Sequence, residues 1–349
     1  MRNANAATVL ANIKQLLRPA RTVMVMISDP VDPDCVAAAL ALRWMLTRQR
    51  KAVALVSLYR IPAAMVDFPG IGQVRACDTV LPDFSAFEVV MLVDGATWPQ
   101  FFGRDWVHVL EGLDLRRLVN IDHHVPDDIQ AAIPRTCLNM QLSSTAQVLY
   151  ECFIKPEKMR LPIEVADVLY RALLYDSRNF KNEMHRGEYA FADMLIEQGA
   201  DHARAVDVNV DMREVRFMAW AIKKTDFIPG LYLSLLCLDA GRQKDLHALL
   251  GEDWPEFNTL YKETVLRQVR GFHYGVILQE KAGQGSVRLT WRTRNYGSHL
   301  SVAEIACRAG FKAGGHRNAG GGSFHGCLAD ARAAAGRVQT RAGWGVTGC

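Results

Sequence analysis

The stretch TVMVMISDPVDPDCVAAALALRWMLTRQRKAVALVSL, residues 22–58, decides the fold. It begins with the apolar run TVMVMIS, continues into the alanine- and leucine-rich segment CVAAALALRWMLTR, and ends with the apolar run AVALVSL. Neither apolar run alternates with polar residues, which is typical of strands that are buried on both faces. The segment between them is typical of a helix. This strand–helix–strand order predicts a parallel sheet with right-handed crossovers.

Two further apolar runs, VVMLVD at 89–94 and RLVNID at 117–122, extend the predicted sheet. An amphipathic helix is predicted before the first strand, at 5–17, because its apolar residues recur at helical spacing. Later helical patterns cover residues 144–154, 163–175 and 187–198. The order of elements predicts an α/β class with helices on both faces of the parallel sheet.

The chain has 349 residues, which is long enough for two domains. Its composition changes near 200–225, where DMREVRFMAWAIKKT is typical of a charged helix. The segments that follow, GLYLSLLCLD, YGVILQE and SVRLTWRT, are shorter and closer to strand alternation, and a helix is predicted at 301–309. We therefore expect a first domain at 1–195, a connecting helix at 196–225 and a smaller α/β domain at 226–349.

The composition limits the class of protein. Half of the residues are hydrophobic and 22% are charged, which is typical of a globular chain. The net charge of +4 is compatible with an anionic substrate. The eight cysteines are scattered without a Cys-x-x-Cys pair, and neither a signal peptide nor an apolar run of membrane-spanning length is evident. We expect a cytoplasmic protein with no membrane partner and no zinc finger.

Carboxylates and a histidine pair follow the predicted strands at the points where the strands end. Asp32 and Asp34 come after the first strand, Asp94 ends the third and the triplet 122–124, Asp-His-His, ends the fourth, while a later helix adds Asp176. Any one aspartate there could simply cap a helix or form a turn, but turn residues need not fall at consecutive strand ends. Ligands of parallel sheets bind at the carboxyl edge, and oxygen donors with imidazole suit Mn²⁺ or a similar ion.

These residues resemble the motifs of a known family, the DHH phosphoesterases. The DPD sequence at 32–34, Asp94, the DHH sequence at 122–124 and Asp176 match the four N-terminal motifs of the family in order and approximate spacing. AGGHRNAGGG at 313–322 resembles the glycine-rich motif of the C-terminal DHHA1 domain. Size and architecture are most similar to the group of oligoribonucleases and phosphoadenosine phosphate (pAp) phosphatases, the NrnA-like group.

The resemblance implies a function for each domain. Residues 1–195 would form a DHH metal-binding catalytic domain, and residues 226–349 a DHHA1 substrate-binding domain. The implied activity is Mn²⁺-dependent hydrolysis of short 5′-phosphorylated oligoribonucleotides (nanoRNA) or pAp, in which two divalent cations activate water. The implied partner is a short RNA or a nucleotide, and the oligomeric state, including a homodimer, stays open.

The resemblance also implies a role for each motif residue in catalysis. Asp32 and Asp94 would bind one cation. The second cation would be bound by Asp34, Asp94, His123 and Asp176. Asp94 would thus bridge the two ions, His124 would contact the phosphate or the leaving group, and Asp122 would orient a histidine.

The substrate-binding residues implied by the resemblance lie in the second domain. They are Arg292, Gly314, Gly315, His316 and Arg317. Backbone amides of the two glycines would approach a phosphate, and the charged side chains would donate to it. Glycine content alone favours a flexible surface loop instead. For Trp291, stacking on a base and packing in the core are both open.

One position departs from the family pattern. The first motif normally begins with a metal-binding histidine six residues before Asp34, and this chain has Ser28 there. A neutral hydroxyl is a poorer ligand than imidazole, so the first cation is expected to bind more weakly, with Asp29 as a neighbouring substitute. Two alternatives remain: a pyrophosphatase or polyphosphatase of the same fold, and a nucleotide-binding regulatory protein with weakened catalysis.

Overall fold

The computed structural model describes residues 4–78, 80–103, 106–125, 127–181, 186–206, 210–293, 301–316 and 319–337. The chain divides into two compact units, Met1–Val208 and Asn209–Cys349. We call them the first unit and the second unit. Among the described residues, no helix combines the length and the apolar character that crossing a membrane requires.

The first unit has the predicted α/β class. Its strands are β1 Thr22–Ile27, β2 Ala52–Ser57, β3 Val74–Ala76, β4 Val89–Val93, β5 Leu118–Asp122 and β6 Cys137–Asn139. Its helices are α1 Ala4–Leu17, α2 Pro33–Arg48, α3 Trp98–Phe102, α4 Trp106–Glu111, α5 Asp128–Ala132, α6 Thr145–Leu149, α7 Ile163–Ser177, α8 Arg186–Glu197 and α9 His202–Val206. The four apolar runs identified in the sequence form β1, β2, β4 and β5, so the prediction of a parallel sheet is confirmed.

The six strands are parallel in the order β3-β2-β1-β4-β5-β6. The chain adds β2 and β3 on one side of β1 and then returns to place β4 on the other side. Strand order therefore reverses between β1 and β4, which is the position where open α/β sheets bind ligands. Ile27 pairs with Val93 at the carboxyl ends of these two strands, so the segments that follow them lie side by side.

Both faces of the sheet are buried along its central strands. Alternate residues of each strand point to opposite faces, so each strand contributes to two cores. On β1, Val25 and Ile27 belong to the larger hydrophobic core, which includes α2 and α7, whereas Met24 and Met26 belong to a second core that includes Phe101 of α3. Burying each such side chain stabilises the fold by about 1.5–3 kcal/mol. The unbroken apolar runs of the sequence reflect this two-sided burial.

Two edge strands and one helix differ from the sequence prediction. β3 and β6 have three residues each and lie at the edges of the sheet, so they are too short to leave an apolar pattern. The helix predicted at 144–154 is α6 continued by a π-helical turn, Tyr150–Ile154. Apolar spacing does not distinguish the wider turn from an α-helix.

The second unit is built on a six-stranded mixed sheet. Its strands are β7 Asp226–Ile228, β8 Leu233–Leu238, β9 Tyr274–Lys281, β10 Ser286–Thr293, β11 Lys312–His316 and β12 Ala319–His325, in the order β11-β12-β10-β9-β8-β7. Its helices are α10 Met212–Lys224, α11 Ala240–Leu250, α12 Thr259–Gln268, α13 Val302–Arg308 and α14 Leu328–Gly336. β8 and β9 pair in parallel, and the other neighbours pair antiparallel.

The range 196–225, predicted as one connecting helix, contains the end of α8 and two separate helices, α9 and α10. α10 packs within the second unit. Its Phe217 is fully buried, stacks on Trp254 at a ring distance of 6.3 Å and meets Tyr261 edge-on at 5.8 Å. The charged face that suggested a linker is the outer face of a helix whose apolar face belongs to the core.

The glycine cluster is not the flexible loop that its composition favours, because β11 and β12 form an antiparallel pair through it. Gly314 pairs with Gly321, and Gly322 pairs with Ala313. A Cβ on Gly322 would lie 2.2 Å from the Lys312 carbonyl oxygen, so β11 can approach β12 this closely only because position 322 has no side chain.

Candidate metal centre

The turn after β4 fixes Asp94 at the carboxyl edge of the first sheet. Asp94 is buried and has φ 66°, in the left-handed region that aspartate enters more readily than most residues. A Cβ on the following Gly95 would lie 2.8 Å from the Phe101 ring. Close packing of α3 against this turn therefore sets the direction of the Asp94 side chain.

The turn after β1 places Asp32 and Asp34 at the start of α2. Asp32 is the N-cap, and its Oδ1 accepts hydrogen bonds from the backbone amides of Asp34 at 3.0 Å and Cys35 at 3.1 Å. The Asp34 carboxylate is fully buried and accepts from the amides of Thr145 at 2.6 Å and Ala146 at 3.0 Å. The start of α6 thus holds Asp34 in one orientation.

The His123 ring is directed at three carboxylates. Its Nδ1 lies 3.2 Å from the Leu142 carbonyl oxygen, and the tautomer that satisfies this oxygen carries its proton on Nδ1. Nε2, which carries the lone pair in this tautomer, lies 3.9 Å from Asp34 Oδ2, 3.6 Å from Asp94 Oδ1 and 3.6 Å from Asp176 Oδ2. Burial lowers the pKa of His123, which favours this neutral form.

His124 and Asp122 form a second pair. His124 Nδ1 lies 2.8 Å from Asp122 Oδ1, while Asp122 Oδ2 accepts from the Asn139 amide at 3.2 Å. Burial lowers the pKa of His124, but the hydrogen bond to Asp122 and its charge outweigh burial and leave that pKa above its usual value. The His124 side chain is 28% exposed, against 8% for His123, so solvent reaches His124 more easily.

The clustered carboxylates repel one another. Burial and the neighbouring charge of Asp34 raise the pKa of Asp32 to about 7, and the same two causes raise the pKa values of Asp94 and Asp176 well above the usual range. A divalent cation placed among them would offset this repulsion. The described residues contain three groups whose potential ligand atoms lie within 4.8 Å of one another: Asp34, His123 and Asp176; Asp94, His123 and His124; Asp32, Cys35 and Asp94. Carboxylate oxygens and imidazole nitrogens of this kind fit divalent cations, and the third group adds the Cys35 sulfur.

Cys35 is a member of this cluster that the sequence analysis did not select. Ser28 is buried at the end of β1, and Asp29 is exposed. Among the described residues, Asp29 belongs to none of the three groups of potential ligands, whereas Cys35 does. The signal was its position directly after the DPD sequence, in the first turn of α2.

Other residues that sequence reasoning missed hold the motif side chains in place. The Thr145 hydroxyl donates to Asp94 Oδ1 at 2.9 Å, in addition to the backbone contacts with Asp34. Asn139, at the end of β6, donates to the His124 carbonyl at 2.8 Å. A Ser-Thr pair before an apolar helical run is a helix-start signal and marks Thr145. Asn139 follows the same strand-end rule as the aspartates, but its strand was not predicted.

In the second unit, Arg292 already has a partner. It lies on β10 with 15% of its side chain exposed, and its Nε is 3.1 Å from Glu263 Oε1. Glu263 also pairs with Arg267 at 3.3 Å. Arg292, which the resemblance assigns to substrate phosphate, is therefore engaged by a carboxylate of α12.

Gly275 explains how α12 comes so close to Arg292. It pairs with Arg292 across β9 and β10, and a Cβ on it would lie only 2.3 Å from the Cβ of Leu266 in α12. The helix therefore packs directly on the backbone of β9. Glu263 lies one turn before Leu266 in α12, and this close packing places its carboxylate next to the Arg292 guanidinium.

The glycine-rich motif at 313–322 offers backbone groups of β11, with open space above Gly314. Gly314 and Gly315 lie in β11, and a Cβ on Gly314 would meet no atom within 4 Å, so packing does not require glycine there. The backbone of His316 ends β11, but its side chain and Arg317 lie outside the described residues. Trp291 is 1% exposed and meets Tyr274 edge-on at 6.1 Å, so it packs in the core and does not stack on a base.

The chain matches one family model and is similar to several solved structures. Among curated protein sequences, none matches the chain. An exopolyphosphatase-related protein from Bacteroides fragilis has 18% identity and a TM-score of 0.75, and the alignment covers 96% of each chain. This likeness shows a shared fold.

Two other solved structures are less similar. A pGpG-specific phosphodiesterase, PggH, from Vibrio cholerae has 13% identity and a TM-score of 0.39, with 91% of this chain and 98% of that chain covered. RecJ from Thermus thermophilus, in complex with Mg²⁺, has 13% identity and a TM-score of 0.43, with 97% and 52% covered.

The family model "DHH family, N-terminal domain" matches residues 22–173. This range begins with β1, includes every strand of the first sheet and ends within α7. It contains Asp32, Asp34, Asp94 and the Asp-His-His triplet at 122–124, and Asp176 follows three residues later. The likeness to the DHH family N-terminal domain therefore lies within the first unit.

Proposed function

We propose that the protein is a metal-dependent phosphoesterase that hydrolyses short 5′-phosphorylated oligoribonucleotides or pAp with two divalent cations, Mn²⁺ in the first instance. The observation that carries the proposal is the orientation of His123, whose Nε2 faces Asp34, Asp94 and Asp176 at 3.6–3.9 Å. One imidazole nitrogen and three carboxylates that converge on one point form a set of nitrogen and oxygen donors that suits a divalent cation.

The ligand sets follow from the clusters. Asp34, Asp94, His123 and Asp176 would hold one cation. Asp32 and Asp94 would contribute to the other, with Asp94 shared between them. When bound, the cations supply Lewis-acid activation of water and offset charge that develops on the phosphoryl oxygens.

The chain's own residues would do the remaining work. Asp122 contacts the His124 ring at Nδ1, and the His124 side chain is 28% exposed, so Nε2 is the nitrogen that would meet a substrate. From there, His124 would donate a hydrogen bond to a phosphoryl oxygen or to the leaving oxygen. Thr145 would hold Asp94 through its hydroxyl, so that the shared ligand keeps one orientation.

Substrate contacts from the second unit belong to the same proposal. The Arg292 guanidinium, the Gly314 and Gly315 amides, and the His316 and Arg317 side chains would bind substrate phosphates. Arg292 would exchange the Glu263 carboxylate for a phosphate oxygen. A terminal phosphate monoester carries a charge of about −1.5 to −2 at neutral pH, more than a carboxylate, and this difference would favour the exchange.

The test is a substrate panel for the purified protein with Mn²⁺: pAp, RNA of two to five nucleotides, pyrophosphate, polyphosphate and cyclic dinucleotides. We expect release of mononucleotides from the short RNA or of phosphate from pAp, and none from the Asp94→Asn variant. Turnover of pyrophosphate or polyphosphate alone would identify the alternative activity of this fold. Tight nucleotide binding without turnover of any substrate would point to a regulatory protein.

A further inference from the structure

The first metal site lacks the ligand that its family would place at position 28. Ser28 is 2% exposed and directly follows β1, and a Cβ on Gly95, the residue after Asp94, would lie 3.2 Å from the Ser28 Cβ. A neutral serine hydroxyl binds divalent cations weakly. Asp32 and Asp94 alone would leave the ion one protein ligand short of the three that catalytic metal sites commonly supply.

Cys35 lies at the position where a third ligand is needed. Its Sγ, one carboxylate oxygen of Asp32 and one of Asp94 lie within 4.8 Å of one another. Metal–sulfur bonds of about 2.3 Å and metal–oxygen bonds of about 2.0–2.2 Å place the sulfur and oxygen ligands of a tetrahedral ion about 3.6 Å apart. Only a small side-chain adjustment would therefore bring all three atoms onto one cation.

The backbone fixes this thiol in place. Cys35 is the third residue of α2 and is fully buried, and its Sγ lies 3.3 Å from both the amide nitrogen and the carbonyl oxygen of Asp32. Its position therefore depends on the same helix start that orients Asp32. Asp29, the neighbour of Ser28, is exposed and joins no group of potential ligands in the described part of the chain.

We propose that Cys35 is a ligand of the first metal site and takes the place of the missing imidazole, so that Asp32, Cys35 and Asp94 hold an ion that prefers sulfur. On binding, the metal–sulfur bond forms, the Sγ–H bond breaks and the proton leaves to solvent. This inference deepens the proposed two-metal function and rests on it. Thiolate favours Zn²⁺ or Co²⁺ over Mn²⁺, whereas the second site offers only oxygen and nitrogen.

The experiment is Co²⁺ titration of the purified full chain, followed by ultraviolet–visible absorption and by counting bound ions. We expect two bound Co²⁺ ions and a sulfur-to-cobalt charge-transfer band from one of them. Cys35→Ser keeps a hydroxyl for the helix start and should lose the band, with at least about a ten-fold weaker affinity at one site. Cys152→Ser, a buried cysteine of the same unit outside the three groups, should keep the band.

A further variant separates the two sites. Asp176→Asn should lose one cobalt ion and keep the sulfur band, because Asp176 belongs only to the group with Asp34 and His123. Two bound cobalt ions without a sulfur band, or a band that persists in Cys35→Ser, would overturn the role of Cys35 and leave the two-metal function standing. A protein that binds neither Co²⁺ nor Mn²⁺ would overturn both.

Discussion

The candidate metal centre of the first unit and the Arg292 region of the second unit differ in what their polar side chains contact. In the candidate metal centre, the Leu142 carbonyl holds the His123 ring so that its Nε2 faces the carboxylates. Arg292 instead has its guanidinium paired with Glu263. On the proposed function, the metal centre would need little rearrangement to bind its ligands, whereas Arg292 would have to leave Glu263 to bind a phosphate. Substitutions in the metal centre should therefore mainly lower kcat, whereas a substitution of Arg292 should mainly raise KM.

The largest effect should come from the shared carboxylate. Asp94→Asn should lower kcat by more than about a hundred-fold, because even residues behind metal ligands commonly account for 10–100-fold. Asparagine tolerates the left-handed backbone at this position, so the fold should persist. Activity, bound metal and thermal unfolding would be measured together, with the exposed Asp245→Asn as the matched control. Near-normal turnover in a folded variant would show that Asp94 is not a ligand.

The next effect should come from the residue that orients His124. Asp122→Asn removes the negative acceptor 2.8 Å from His124 Nδ1 and should lower kcat by about 10–100-fold. Bound metal should stay unchanged, because Asp122 belongs to none of the three groups of potential ligands. Asp127→Asn, an exposed aspartate of the same segment, is the control. Loss of metal together with activity would instead make Asp122 part of the metal site.

For the second region, Arg292→Ala should raise KM for short RNA by about ten-fold or more and leave kcat nearly unchanged. The loss of one charge-assisted contact accounts for about 1.5–3 kcal/mol. Arg332→Ala, which removes a half-exposed arginine paired with Asp226 at 3.0 Å, is the control. Steady-state kinetics would give KM and kcat for both variants, and thermal unfolding would check that both fold.

The partner of Arg292 gives the converse test. Glu263→Gln should lower KM, because the Arg292 guanidinium would then bind a substrate phosphate without first breaking an ion pair with a carboxylate. If Arg292→Ala changed kcat and left KM unaltered, the contrast between the two regions would not hold.

The smallest effect should come from the hydroxyl behind Asp94. Thr145→Val removes its hydrogen bond of 2.9 Å while keeping the shape of the side chain, and kcat/KM should fall by about two- to ten-fold, equivalent to 0.5–1.5 kcal/mol. Thr145→Ser keeps the hydroxyl and should retain nearly full activity. Equal losses in the two variants would indicate that packing of the threonine methyl matters instead of the hydrogen bond.

The sequence was informative wherever one rule decided the outcome. Apolar runs without alternation predicted the central strands of the first sheet, and their ends predicted that Asp32, Asp94 and the histidine pair would lie together. Motif resemblance added Asp176. These inferences depend on strand direction alone, because parallel strands bring their carboxyl ends to one edge.

The contacts that the sequence did not predict depend on packing between segments that are distant along the chain. The Leu142 carbonyl carries no side-chain signal, and Cys35 has the composition of an ordinary buried helix residue. The pairing of Arg292 with Glu263 requires the close approach of α12 at Gly275, which no local pattern encodes. Trp291 was undecided from sequence because tryptophan suits both a core and a base-binding surface.

Asp34 connects the metal centre to the folding of a separate part of the chain. Its carboxylate accepts the amide protons of Thr145 and Ala146, which lie 111 and 112 residues further along the chain. A cation on this carboxylate would reduce local opening at the start of α6, and opening there would release the ligand. Hydrogen–deuterium exchange at these two amides would therefore report site occupancy even for ions without an absorption spectrum.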